Sequence, residues 1–121
     1  MSKQPSSAKS LKSLMDMLAS KDGMIRQKAR KSLVAVGKPA VSSLTKALQD
    51  SKSGHVRWES AKALGAISDT RSIPVLVKAL EDNDRDVAWL AAEALEEFQK
   101  AAWPPLLRPL IKRGAESARL C

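Results

Sequence analysis

Apolar and small residues recur along the chain at a helical spacing, in three stretches that begin at Ile25, Val56 and Val87. The stretches are 31 residues apart, and in each the apolar or small positions lie at offsets 0, 4, 8 and 11. These offsets define one face of an α-helix. A fixed period of this length indicates a repeat architecture. The matching positions are Ile25, Val56 and Val87; Ala29, Ser60 and Ala91; Leu33, Leu64 and Leu95; and Val36, Ile67 and Phe98.

A second set of helices precedes these, with apolar residues spaced by three and then four. The set comprises Leu11, Leu14 and Leu18; Val41, Leu44 and Leu48; Ile73, Leu76 and Leu80; and Trp103, Leu106 and Leu110. The chain therefore alternates between A-helices and B-helices three times over, and a fourth A-helix follows. We predict helices over residues 9–20, 23–36, 39–50, 54–68, 72–82, 84–100 and 103–113.

The residues at the expected boundaries support this division. Gly37 can take the left-handed conformation that ends a helix, and Pro39 can occupy the first turn of the next one. Asp22, Asp69 and Asp84 lie where helices should begin, and their carboxylates can accept from the free backbone N–H groups of the first turn.

The stretch VRWESAKALGAI, residues 56–67, is similar to the B-helix consensus of the phycobilisome-lyase HEAT-like repeats, roughly V-R-x-x-A-A-x-A-L-G-x-I. The resemblance covers residues 11 to 111 and implies an all-α, right-handed α-solenoid of about three and a half HEAT-like helical hairpins. The expected units are a disordered tail at 1–8, repeats at 9–37, 38–69 and 70–101, a half repeat at 102–113, and a C-terminal tail at 114–121.

The same resemblance implies a set of structural ion pairs. The family motif L-x-D, which ends the A-helix, is present at residues 48–50 and 80–82. In the family, its Asp and the Arg after the first Val of the B-helix tend to pair between neighbouring repeats. The residues that this ladder would use are Asp50, Arg57, Asp82 and Arg26. Ala88 replaces the Arg of the third repeat, so the ladder departs from the family pattern there.

Composition agrees with a soluble helical domain, because 44% of the residues are hydrophobic, 28% are charged and only 3% are aromatic. The chain contains no apolar run of about 18 residues and no signal-peptide pattern, so we expect a cytoplasmic protein. The net charge of +8 is uneven: residues 1–60 hold 12 Lys/Arg against 4 Asp/Glu, and residues 61–121 hold 9 against 9. This asymmetry favours an acidic partner near the first half, although a solubilising surface would explain it equally well.

Trp58 and Trp89 both lie at offset 2 of their B-helices, about 200° from the first core position, and are therefore expected to point outward. Stacked repeats would place the two indoles side by side on the concave surface, where exposed Trp is typical of a binding hot spot. The alternative is that the superhelix or a tail covers them. The other residues expected on this surface are His55, Lys62, Leu90, Gln27, Lys28 and Lys31.

Residue types argue against catalysis. Deoxyhypusine hydroxylases, another HEAT-like family, bind two irons through His-Glu pairs on successive B-helices. The corresponding dipeptides here are QK, WE and WL at residues 27, 58 and 89, and His55 is the only histidine. No phosphate loop, Cys/His cluster or Ser/His/Asp set is present, and the lone Cys121 is the last residue. We therefore expect no enzyme, no cofactor and no metal.

The favoured function is a non-catalytic protein-binding scaffold that receives an acidic peptide or helix on the concave B-helix face, anchored on Trp58, Trp89 and Leu90. One alternative is nucleic-acid binding through the basic half, although Glu59 and Glu93 are expected in the groove and would repel phosphate. The residues that would track phosphates are Lys21, Arg26, Lys28, Arg30 and Lys31. A further alternative is a bilin-binding or lyase subunit, with a tetrapyrrole resting on the two indoles.

The last A-helix carries a further prediction. It is apolar on two sides, no fourth B-helix follows it, and Pro109 makes it short or kinked. Trp103 is expected to face the core, whereas Leu107 and Ile111 would form a self-association surface, most simply in a two-fold homodimer. The alternative is that the tail folds back over this stripe through Leu120.

Overall fold

The computed structural model describes residues 8–102, with side chains described for residues 11–100. The predicted helix at 103–113, with Trp103, Leu107 and Ile111, lies outside the described residues, as do the tails 1–7 and 114–121. Within the described residues the chain forms helices and no strands. The helices are α1 (Ala8–Met17), α2 (Gly23–Val36), α3 (Lys38–Asp50), α4 (Gly54–Ile67), α5 (Ile73–Ala79) and α6 (Arg85–Ala102), and a 3-10 turn (Thr70–Ser72) precedes α5.

The helices pair into three successive hairpins, α1 with α2, α3 with α4, and α5 with α6, and neighbouring hairpins stack. The B-helices α2, α4 and α6 contact one another in order, and the A-helix α3 contacts α5. This arrangement confirms the predicted α-solenoid. None of the helices described has the length and apolar character that a bilayer span requires.

Two A-helices are shorter than the periodicity predicts, since α1 ends at Met17 and α5 at Ala79. Beyond each end the backbone continues in turns whose hydrogen bonds run from residue i to i−3, as from Leu18 N to Met15 O at 3.1 Å and from Leu80 N to Val77 O at 3.2 Å. The apolar spacing continues through such a turn, so the pattern alone does not reveal where the α-helix stops.

Helix caps fix the positions at which the helices begin and end. Asp22 accepts from the Met24 N–H at 2.9 Å to start α2, and Asp84 accepts from the Asp86 N–H at 2.9 Å beside the start of α6. Gly37 ends α2 with φ +77° and ψ −134°, a conformation that requires glycine.

Asp69 caps the 3-10 turn before α5. It accepts from the backbone N–H of Arg71 at 2.9 Å and from the Arg71 guanidinium at 2.8 Å. These hydrogen bonds, the side-chain one first, lower the pKa of Asp69 from 3.8 to about 2.

The core runs through all three hairpins. Its fully buried large side chains include Leu18, Leu33, Leu44, Leu64, Leu76 and Val87. Ile25 was expected to share the core face with Val56 and Val87, yet it is 41% exposed while they are 9% and 0% exposed. The reason is that, within residues 8–102, the hairpin that contains Ile25 has a stacked neighbour on one side only.

Candidate binding groove

The N-terminal halves of α2, α4 and α6 form a groove of about 710 Å³ across the B-helix surface. The Trp58 indole lies at its centre, lysine and arginine side chains lie on one side, and the carboxylates of Asp84 and Asp86 lie at one end. The residues that line it are Gly23, Arg26, Gln27, Arg30, Gly54, His55, Trp58, Glu59, Lys62, Asp84 and Asp86.

Trp58 is half-buried: it lines the groove on the side of α4 that its offset predicts, and it also packs against the core. Two cations lie over its ring: the Lys62 Nζ is 4.9 Å from the ring centroid and the Arg30 Cζ is 5.7 Å from it. Both distances allow cation–π attraction. The offset of Trp58 along α4 predicted the side of the helix on which the indole lies. It could not predict that the Arg30 side chain extends from the neighbouring α2 over the ring.

Glu59 lies beneath the groove, where it joins the first two repeats. It is 4% exposed, and its Oε1 accepts from the Arg30 Nη1 at 2.7 Å. Its Oε2 lies 3.5 Å from the Arg26 Nε. Glu59 is among the groove-lining residues, as expected, but two guanidinium groups face its carboxylate and compensate its negative charge. This carboxylate is buried with its partners rather than displayed to a ligand.

Arg57 and Asp82 form an ion pair between the second and third repeats. The Arg57 Nε and Nη2 donate to the two carboxylate oxygens of Asp82 at 2.9 and 3.2 Å, and its Nη1 donates to the Ser51 carbonyl at 2.9 Å. Arg26 makes the equivalent backbone contact, from Nη1 to the Ser20 carbonyl at 2.7 Å.

The expected partner of Arg26, Asp50, is exposed and has no salt bridge among the described residues, and Arg26 lies beside Glu59 instead.

Local hydrogen bonds explain why Asp50 does not take the ladder position. Ser20, Ser51 and Asp82 each accept, through the side chain, from the backbone N–H two residues later, at 3.1, 3.1 and 2.8 Å. The position equivalent to Asp82 is therefore Ser51, because Leu48 lies eight residues before Val56 whereas Leu80 lies seven residues before Val87. Ser51 has no carboxylate to offer.

The structure separates the residues expected on one concave surface. Gln27, His55 and Lys62 line the groove with Trp58. Leu90 lies with Lys62 at a second cavity of about 290 Å³ between α4 and α6.

Trp89 is 66% exposed and lines a third cavity, of about 790 Å³, with Leu80 and Leu95. Lys28 and Lys31 are exposed and do not belong to the groove lining. The two indoles therefore do not form a single surface.

Arg30, Asp84 and Asp86 also line the groove, although the sequence pattern did not predict a peptide site there. One signal was available, because Asp86 lies one residue before Val87 just as His55 lies one residue before Val56. Equal offsets in a repeat place residues along the same edge.

The charges of the groove are arranged asymmetrically. Among the groove residues described, Lys62 is a cation with no salt bridge, while Arg26 and Arg30 lie against Glu59. Asp86 is exposed at the α6 end. No cluster of three metal-ligating side chains occurs within the described part of the chain. The chemistry that these residues offer is a partly apolar aromatic contact with a positive and a negative end.

Comparison with known proteins identifies the repeat. The family model for HEAT repeats matches residues 41–119. No curated protein matches the chain with significant similarity. The family match is to HEAT repeats in general, so the phycobilisome-lyase subclass stays a prediction. The matched segment begins in α3, spans α4 to α6 and covers more than half of the sequence, and the chain therefore belongs to the HEAT repeat family.

Proposed function

We propose that this protein is a non-catalytic scaffold whose B-helix groove binds an acidic peptide or helix of a partner protein. HEAT repeats generally mediate protein–protein interactions and are typically not enzymes. The observation that carries the finer proposal is Trp58, which is held half-buried in the groove with Lys62 over its ring. The cytoplasmic location and the phycobilisome-lyase-like subclass belong to the same proposal and rest on the sequence.

The groove favours a peptide ligand because its anchor is preorganised. Packing on one side and two cations on the other restrict the Trp58 indole, so little side-chain entropy is lost when an apolar side chain binds against it. A large aromatic residue held at the centre of a groove is the usual form of an interaction hot spot.

The charges of the groove determine which residues we expect in the ligand and in which orientation it binds. Lys62 can pair with a carboxylate of the ligand, because its ammonium has no salt-bridge partner among the described residues. Asp86, at the opposite end, favours a basic residue there. We therefore expect a segment with an apolar residue over Trp58, acidic residues toward Lys62 and a basic residue toward the start of α6.

The nucleic-acid alternative loses part of its basis. Of the five cations expected to track phosphates, Arg26 and Arg30 lie against the buried Glu59. Lys21, Lys28 and Lys31 remain exposed, which is sufficient only for weak, salt-sensitive attraction. The bilin alternative required both indoles on one surface, whereas Trp58 and Trp89 line different cavities.

The test is selection of peptides from a random 12-residue phage-display library against the full chain, followed by calorimetric titration of the enriched peptides. We expect enrichment of Asp and Glu beside an apolar residue. Trp58→Ala and Lys62→Glu should each weaken these peptides at least tenfold. Trp89→Ala is the matched control, an indole removed from a different cavity, and should leave their affinity unchanged.

Circular dichroism of each variant confirms that it is folded. Peptides without acidic residues, or equal binding by wild type and Trp58→Ala, would reject the proposed groove. Preferential loss in Trp89→Ala would instead place the site on the other cavity. A titration with duplex DNA at 50 and 200 mM salt tests the alternative, since sub-micromolar binding that persists at 200 mM would favour nucleic acid over peptide.

A further inference from the structure

The two ends of the described solenoid carry opposite charge. The exposed side of α2 includes Lys28 and Lys31, and α2 contains no acidic residue. The exposed side of α6 includes Glu93, Glu96 and Glu97, of which Glu97 forms a salt bridge at 3.7 Å with Lys100 of the same helix. In a repeat protein, the two ends are the surfaces that further repeats would cover.

Apolar residues are also exposed at both ends, at positions that neighbouring repeats cover elsewhere. Ile25 is 41% exposed, whereas its equivalent Val87 is fully buried. Leu80 is 43% exposed, whereas its equivalents Leu18 and Leu48 are 0% and 2% exposed. Among residues 8–102, therefore, neither end has the neighbour that the interior repeat has.

The junction between α4 and α6 shows which residues would meet if another repeat stacked in the same geometry. On the α4 side it is lined by Ala61, Lys62, Gly65 and Ala66. On the α6 side it is lined by Leu90, Glu93, Ala94 and Glu97. Adding one period of 31 residues to the first group gives Ala92, Glu93, Glu96 and Glu97 of α6. Subtracting two periods from the second group gives Lys28, Lys31, Ser32 and Ala35 of α2.

The same register thus brings three glutamates of one chain opposite two lysines of another. We propose that copies of this protein associate head to tail, with α6 of one copy stacked against α2 of the next. The occupant of each end is a second copy, because the complementary charges and the exposed apolar positions lie on the two ends of the same chain. Such a contact is heterologous, so it extends into chains of copies rather than closing a two-fold dimer.

The junction between copies is looser than the junctions inside the chain. Between α4 and α6, a Cβ at Gly65 would lie 3.1 Å from the Cβ of Ala94, so glycine permits the close approach of the helices. On α6, Glu96 takes the place of Gly65, opposite Ser32 of the next copy. The longer glutamate side chain holds the two helices further apart, so the contact depends on electrostatic attraction rather than on close packing. The association should therefore be weak and should decrease as salt rises.

The test uses sedimentation velocity of the full chain from 10 µM to 1 mM at 50 mM NaCl. Wild type should show a sedimentation coefficient that rises continuously with concentration, and 500 mM NaCl should reduce the association constant at least tenfold. Lys28→Glu with Lys31→Glu, and separately Glu93→Lys with Glu96→Lys, should each be monomeric. All four positions are exposed, so folding should persist and is checked by thermal unfolding.

Mixing the two charge-reversed variants should restore association, because each then offers an end that complements the other. Rescue on mixing is diagnostic of a heterologous contact. The control is Lys46→Glu with Lys52→Glu, an equal charge change at exposed positions away from both ends, which should associate like wild type. A wild type that stays monomeric to 1 mM, as when residues 103–121 of the same chain cover α6, would refute the proposal. Failure of the mixture to associate would refute it as well.

Discussion

Replacing the buried carboxylate Glu59 tests whether the ion pairs under the groove hold the first two repeats together. Glu59→Gln keeps the size of the side chain and removes its charge. Arg26 of α2 and Arg30 of α2 then lose the carboxylate that faces them from α4. The substitution leaves two positive charges close together with little access to water, and this uncompensated charge is the expected source of destabilisation.

The burial of the partners sets the magnitude. The Glu59 side chain is 5% exposed, that of Arg30 is 12% exposed and that of Arg26 is 16% exposed. Loss of one partner from a buried ion pair costs about 3–5 kcal/mol, while an exposed pair contributes about 0–1 kcal/mol. Both arginines reach the wall of the groove, where they regain some hydration. We therefore expect Glu59→Gln to lower the free energy of unfolding by about 2–4 kcal/mol.

Urea denaturation followed by circular dichroism measures this change. The matched control is Asp16→Asn, which breaks the exposed Lys12–Asp16 pair at 3.9 Å and should alter stability by less than about 0.5 kcal/mol. Combining Glu59→Leu with Arg26→Met and Arg30→Met removes all three charges and should recover most of the loss. The reasoning is wrong if Glu59→Gln and Asp16→Asn give the same small change, or if the triple variant is as unstable as Glu59→Gln.

Three further substitutions test packing, polar burial and capping. Leu64→Ala should lower stability by about 2–5 kcal/mol because Leu64 is fully buried, whereas half-buried Trp58→Ala should lower it by about 1–2 kcal/mol; equal shifts in thermal unfolding would contradict this ranking. Ser60→Ala should raise stability by about 1 kcal/mol, because the Ser60 hydroxyl is buried without a hydrogen-bond partner among the described residues; a lower urea midpoint would reveal a missed partner. Asp69→Asn should be less stable than wild type above about pH 4, and this difference should shrink through about pH 2 and vanish below it, since the lowered pKa of Asp69 stabilises the fold above 3.8 and this contribution is lost as pH falls through about 2; a difference that persists well below pH 2 would assign the effect to geometry.

The repeat architecture could be predicted from the sequence because every hairpin buries the same face. Offsets that repeat with a period of 31 residues identified all three B-helices, and α2 begins and ends at the predicted residues. Periodicity does not record which repeat is terminal, which is why Ile25 was expected to be buried like Val87. It also does not distinguish an α-helical turn from a 3-10 turn, so the ends of α1 and α5 were misplaced by three residues.

The groove was less predictable because its chemistry depends on contacts between repeats. The offset of Trp58 indicated the side of α4 on which it lies, but Arg30 covers the ring from a different helix. The Arg26–Arg30 spacing of four residues on α2 was visible, and so was the single glutamate of α4. These charges meet because of the position of α2 relative to α4 along the helix axes. A sequence pattern within one helix gives no information about that position.

One additional residue between the last core leucine of α3, Leu48, and the first core valine of α4, Val56, affects the ladder, the buried ion pair and the charge of the groove. The interval from Leu48 to Val56, one residue longer than that from Leu80 to Val87, places Ser51 where the third repeat has Asp82. Arg26 therefore has no carboxylate in the ladder position. Arg26 therefore lies beside Glu59, which also holds Arg30. A salt bridge in the ladder would keep Arg26 away from Glu59 and leave the negative charge of Glu59 less fully compensated. The extra residue of the second repeat thus contributes to the compensation of Glu59, and Lys62 is the groove cation without a salt bridge among the described residues.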